Sequence, residues 1–193
     1  MMEDISFLEE LVSIPSPSGE ERYVAEYLVG QMANLGFRAH QDAVGNAVGE
    51  LGDPQAERTV VLLGHMDTVP GVVPIRRSRG CLYGRGTVDA KGPLAAFVLA
   101  AARIAPLLER TRVLVIGAVE EEAHGRGARH LARTMAPPEC AFIGEPSEWQ
   151  CITLGYKGLL NFDYRLTQPG AHSAGEMPGP AEKAVVFWNR LMT

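Results

Sequence analysis

Five short segments bring acidic or imidazole side chains to the ends of apolar runs or glycine turns. They are GHMDTVP (64–70), GRGTVDAKG (84–92), VEEE (119–122), IGEP (143–146) and GAHSA (170–174). Imidazole and carboxylate are what zinc, cobalt or manganese takes in a hydrolytic site, where an open coordination position makes a water nucleophilic near neutral pH. The chemistry these segments could do together is therefore metal-assisted hydrolysis.

Each segment also has a plainer reading. His65 and Asp67 follow an apolar run with one residue between them, so in extended chain both side chains can point the same way. Asp67 is then either a ligand or the group that holds the second imidazole nitrogen. Taken alone, such a pair is more often a capping aspartate beside a core histidine. Asp89 lies among Gly84, Gly86 and Gly92, where a turn aspartate is the ordinary reading. Glu120, Glu121 and Glu122 end another apolar run, and adjacent carboxylates repel unless water or cations neutralise them. Glu145, after Ile143 and Gly144, repeats the device. Clefts of open α/β sheets lie at the carboxyl ends of strands, so these ends can converge on one site. Coincidence of all of them is much harder to accept than any one plain reading.

The elements needed to position them are legible. Asp4 can cap a first helix with Ile5, Leu8, Leu11 and Val12 on one face, stopped by Pro15 and Pro17. Ser18 with Glu21 makes a capping-box pattern for a second helix through Tyr23, Val24, Tyr27, Leu28 and Met32, closed by Gly36. Two short strands follow at 38–41 and 47–51, joined through Gly45 and Asn46. The runs 59–63, 112–119 and 140–143 lack polar alternation, as strands buried on both faces do. A helix opens at Pro93 and reaches about Ala105, and another fits 127–135. This order predicts a three-layer α/β/α domain. From Tyr156 the texture changes. Leu160, Phe162, Tyr164 and Leu166 alternate with polar residues as in a strand with one wet face, and a helix follows over about 181–191. One strand and one helix cannot bury a core, so the chain is expected to stop inside a second domain.

Among 193 residues, 46% are hydrophobic, as in a globular protein with a real core. The 23 acidic residues exceed the 18 basic ones, giving a net charge of −5, which argues against nucleic acid as a partner. The one basic cluster visible in sequence, Arg76, Arg77 and Arg79, fits a solvated loop better than an anion site. Arg76 and Arg77 could still meet an acidic substrate or carrier. The opening segment has neither a basic region followed by an apolar stretch nor a run able to span a bilayer. Cys81, Cys140 and Cys151 have no metal or redox spacing and fit buried or unpaired thiols in a reducing cytoplasm.

These segments resemble the co-catalytic metallohydrolase family of aminoacylases, acetylornithine deacetylase, succinyl-diaminopimelate desuccinylase and glutamate carboxypeptidase. The shared order is a strand ending HxD, a GRGxxDxKG loop, a strand ending in paired glutamates, and an acidic residue before proline. GEPSEW, TLGYKG and GAHSAGE resemble most the lysine-biosynthesis branch. The resemblance implies an incomplete zinc-hydrolase catalytic domain over 1–155 and the start of a smaller α+β lid and dimerisation domain over 156–193. It implies hydrolysis of a linear amide, releasing lysine or ornithine from an acetyl group or from the γ-glutamyl group of an acidic amino-group carrier protein. Other N-acyl-amino-acid hydrolysis, exopeptidase action or a non-catalytic metal- or partner-binding remnant are the alternatives.

By the same resemblance His65, Asp89 and Glu145 hold one metal, Asp89 bridges to a second held by Glu122, and Asp67 orients His65. Glu121 is the general base, an assignment against Glu122 that spacing cannot make: ideal strand geometry pairs Glu120 with Glu122. His172 is the oxyanion contact reaching into a partner's cleft in a homodimer, although a histidine in a mobile loop is at least as good a reading. The peptide after Asp89 is expected to be cis. Two divalent ions, zinc or cobalt, are implied for the family. At most one is expected to be held tightly here, because the family continues well beyond Thr193 to a late histidine that completes the second site.

Overall fold

The computed structural model describes residues 4–148, 150–158, 160–170 and 177–193. They fall into two compact units, Met1–Cys151 and Ile152–Thr193.

In the first unit, helix α1 (Asp4–Ser13) and helix α2 (Arg22–Asn34) precede strands β1 (Arg38–Gln41) and β2 (Ala47–Leu51). Strand β3 (Arg58–His65), a small hairpin of β4 (Arg76–Ser78) and β5 (Cys81–Tyr83), and helix α3 (Lys91–Ile104) follow. Strand β6 (Thr111–Ala118), helix α4 (Arg126–Thr134) and strand β7 (Cys140–Ile143) complete it. The main sheet has the order β1-β2-β6-β3-β7. β3 is parallel to both β6 and β7, while β1 and β2 are antiparallel additions.

The apolar periodicities decide the layers. Val24, Ala25, Leu28 and Met32 of α2 pack with Phe7 and Leu11 of α1, with Leu94 and Val98 of α3, and with Val113 and Val115 of β6. The alternate β6 residues, Leu114 and Ile116, face a smaller cluster with Val61 and with Leu131 of α4. β6 is thus covered on both faces, as its unbroken apolar run predicts, and the unit is a three-layer α/β/α domain.

Three expectations are corrected here. Asp4 begins α1 rather than preceding it. Ser18 does not cap α2, whose N-cap is Glu21 without a side-chain cap bond, because both side chains are engaged at the site. β7 forms as expected but is exposed along its length, as the edge strand of this sheet.

In the second unit, residues 160–170 join no ladder, so the alternating segment is not a strand here. Its aromatic face is nevertheless used. Phe187 of helix α5 (Pro180–Leu191) stacks on Tyr164 at 4.2 Å between centroids and meets Phe162 edge-on at 6.0 Å. A strand needs a partner's backbone, and none is offered among the described residues of this unit. No helix among the described residues is long and apolar enough to cross a membrane. All three cysteines are unpaired and exposed, so none takes the buried alternative.

Candidate metal centre

Parallel pairing brings three strand ends to one edge of the sheet. His65 lies beside Ala118, and Leu63 beside Ile143. The segments leaving β3, β6 and β7 therefore open together, carrying His65 and Asp67, the glutamate run, and Glu145.

His65 is the buried centre, with only 1% of its side chain exposed. Its Nδ1 lies 2.9 Å from the backbone oxygen of Asp67. A carbonyl only accepts, so Nδ1 carries a proton and donates it. Nε2 is then the one nitrogen left, and it faces Asp89 Oδ1 at 3.0 Å with Glu121 Oε2 and Glu145 Oε1 each at 3.9 Å. In a neutral imidazole that nitrogen is a lone pair turned on carboxylate oxygens. Only a second proton or a cation reconciles them. Burial disfavours a charge on His65, but Asp67, Glu145 and Asp89 outweigh it and carry its pKa up to about 9. The donor set fits a divalent metal ion: one imidazole nitrogen among carboxylate oxygens, with the other ring nitrogen held by protein.

Two groupings of possible ligands share His65, one with Asp89 and Glu145 and the other with Glu121 and Glu122. Glu122 and Glu145 are both pushed above the usual carboxylate range, first by burial and then by the neighbouring carboxylates, despite the opposite pull of His65.

Asp67 is fully buried and occupied on every side. Its carboxylate lies 3.4 Å from His65 Nδ1 and accepts from Ser18 Oγ at 2.6 Å. It also accepts from the backbone N–H groups of Glu121 and Glu122, each at 3.0 Å. Burial acts to raise its pKa, yet the bonds from His65, Ser18 and those two amides hold it below the ordinary value. Asp67 therefore touches His65 from behind and also fixes the glutamates.

The glutamate turn is held amide by amide. The Val119 N–H donates to Asn46 Oδ1, and the Glu120 N–H to Glu21 Oε1, each at 3.0 Å. Asp67 takes the next two. Glu120 leaves the strand with φ 56°, and its side chain pairs with Arg126 at 2.7 Å. This breaks strand alternation. Glu121 and Glu122, not Glu120 and Glu122, reach His65 together. Helix α4 comes close enough that a Cβ on Gly127 would collide with Asn46 Oδ1 and the Val119 backbone. Sequence reasoning missed Glu21 and Asn46 as supports. Their signal was weak: a helix-start glutamate and a turn asparagine, both of them buried.

Asp89 is carried to His65 by the loop before α3. The chain folds so tightly that a Cβ on Gly92 would strike the Thr87 carbonyl. The Asp89–Ala90 peptide is cis, as the resemblance implies. Lys91, next in this loop, is buried, and its Nζ donates to the carbonyls of Leu11 and Ile14 at 3.2 and 2.7 Å. The Leu11 oxygen belongs to the last turn of α1 and the Ile14 oxygen follows it, where carbonyls lack helical partners and need donors. Burial lowers the Lys91 pKa to about 8. His172 lies outside the described residues.

Residues 61–185 match the sequence model of a family described as Peptidase family M20/M25/M40. The chain belongs to this family. A relative from Deinococcus radiodurans named "[LysW]-lysine hydrolase" is 46% identical over 187 residues, covering 95% of this chain and 51% of that protein. A Pyrococcus furiosus protein named "Putative [LysW]-lysine/[LysW]-ornithine hydrolase" is 39% identical over 187 residues, covering 96% and 54%. These names match the lysine-biosynthesis branch to which the motifs point. The chain spans about half the length of these curated relatives. Among solved structures, an M20 family metallo-carboxypeptidase from Sulfolobus solfataricus aligns with TM-score 0.60 and 23% identity, over 75% of this chain and 37% of that one. A tripeptidase from Staphylococcus aureus gives TM-score 0.61 and 24% identity, over 72% and 42%. At such identities these structures speak for the fold alone.

Proposed function

We infer that this M20 chain carries the amide-cleaving centre of an enzyme that releases lysine from a carrier protein. The observation that carries the reading is the buried His65, with Nδ1 committed to protein and Nε2 facing Asp89, Glu121 and Glu145. The substrate class is supported by the names of the relatives.

His65, Asp89 and Glu145 are the residues to hold one divalent ion, with Asp89 and Glu122 offering ligands to a second. Bound there, such ions acidify a water and polarise the scissile carbonyl. The chain's own residues do the rest. Glu121 carries no backbone duty on its carboxylate and stands at the open side of His65. It takes the proton from the attacking water and delivers it to the leaving amine nitrogen. Asp67 keeps His65 in the tautomer that leaves Nε2 free, and by holding the Glu121 amide sets where that proton goes. The oxyanion role of His172, a homodimer and a cytoplasmic site of action belong to this reading as extensions of the family resemblance.

The test is amine release by metal-loaded protein from carrier-linked lysine, N-acetyl-lysine and unrelated dipeptides. Carrier-linked lysine is expected to be the best substrate, and Glu121→Gln to lose about 10²–10⁴-fold in rate while keeping its metal. An unimpaired Glu121→Gln variant, or no preference for the carrier-linked amide, contradicts the reading.

A further inference from the structure

Beside the glutamate turn lies a basic cavity of about 710 Å³, lined in part by His124, Arg126, Arg129, His130 and Arg133. Its wall is α4. Arg126, Arg129, His130 and Arg133 fall at i, i+3, i+4 and i+7, a single face of that helix, while Gly127 and Leu131 are buried on another. Such a volume is ordinary for a small-molecule site, roughly 300–1,000 Å³.

The charges of this wall are not balanced from within. Arg126 is neutralised by Glu120 at 2.7 Å. His130 Nε2 stands 3.8 Å from Asp42 Oδ2. Arg129 donates its Nε only to the His124 carbonyl, at 3.0 Å. Neither Arg129 nor Arg133 has an ion-pair partner in the salt bridges among the described residues. Two uncompensated guanidinium groups on one concave wall are unexpected in a chain of net charge −5. A helix of nine residues gains from an arginine in its last turn, which accounts for Arg133 in part. It gives no reason for three arginines turned to the same cavity.

We propose that this cavity binds a small dianionic phosphate group, held between Arg129 and Arg133. The charge of the ligand follows from the count of unpaired guanidinium groups. Its shape follows from the donors, because planar guanidinium forks match phosphate oxygens bidentately. Three terminal phosphate oxygens can also use the Arg126 edge and the His124 ring, which a single carboxylate cannot do at once. The site neither needs nor shares the ligands around His65.

The test is calorimetric titration of the purified, chelator-treated protein with inorganic phosphate at fixed ionic strength. Removing metal keeps phosphate from reporting on the centre at His65, so failure here leaves the proposed function standing. Saturable one-site binding is expected, weakened by about tenfold in Arg133→Ala and further in the Arg129→Ala, Arg133→Ala double variant. Arg110→Ala, an arginine paired with Glu57 elsewhere, should bind phosphate as the wild type does. Circular dichroism should show the double variant folded, since both side chains are exposed. No saturable binding, or equal affinity in the double variant, overturns the proposal. So does succinate or a glutamate-rich peptide binding through these arginines when phosphate does not.

Discussion

Asp67 and Glu21 are buried, and their oxygens accept hydrogen bonds from backbone amides or a hydroxyl, whereas the oxygens of Asp89, Glu121 and Glu145 turn toward one another and His65. The side chains differ as sharply in exposure, 0% for Asp67 against 51%, 48% and 26% for Asp89, Glu121 and Glu145. A buried carboxylate is tolerable because donors surround it. Carboxylates gathered without donors are tolerable because water reaches them, and they become favourable when a cation arrives. One layer of the site is built to be rigid without metal, and the layer above it is built to be completed.

Substitutions should separate the two layers. The largest effect is expected for Asp67→Ala, which strands the Ser18 hydroxyl and the amides of Glu121 and Glu122 and removes the charge behind His65. It should lose about 3–5 kcal/mol in urea unfolding. Asn46→Ala removes the acceptor of the Val119 amide and donors to Asp42 and Gly127. About 2 kcal/mol is expected. Glu21→Gln keeps an amide oxygen to accept from Gly19 and Glu120, so about 1 kcal/mol should go. Glu145→Gln belongs to the upper layer and should behave oppositely. A carboxylate whose pKa is raised on folding is disfavoured in its charged form by the fold, so neutralising it should slightly stabilise metal-free protein, within about 0.5 kcal/mol. If Glu145→Gln destabilises the metal-free chain as much as Asp67→Ala does, the distinction between the layers is wrong.

The upper layer was the more legible one in the sequence. His65, Glu122 and Glu145 follow strands closely and Asp89 sits in a glycine loop, so all four stand out by motif, and the parallel pairing of β3 with β6 and β7 brings the strand ends to one edge. The lower layer is made by residues far apart in sequence, Ser18, Glu21 and Asn46, whose bonds to the turn exist only after folding. Ser18 and Glu21 even carried a competing local signal, the capping box, which lost because Asp67 and the glutamate amides offered buried partners. The Glu121–Glu122 pairing was invisible to strand periodicity because Glu120 steps out of the ladder with positive φ. The alternating run at 160–166 misled for the opposite reason. Its side chains alternate with the period of a strand, but a strand also requires a neighbouring backbone.

Metal stoichiometry tests the central claim most directly. His65 has one nitrogen to give, and both ligand groupings require it, so only one ion can have the histidine. Titrating chelator-treated protein with Co²⁺ and reading the visible d–d bands should give one tightly held ion per chain. Glu145→Gln should weaken it by at least about tenfold, and His65→Gln should abolish tight binding while the protein stays folded. Tight binding that survives in His65→Gln would contradict the account, because the buried imidazole would then be a structural histidine and not the ligand on which the centre depends.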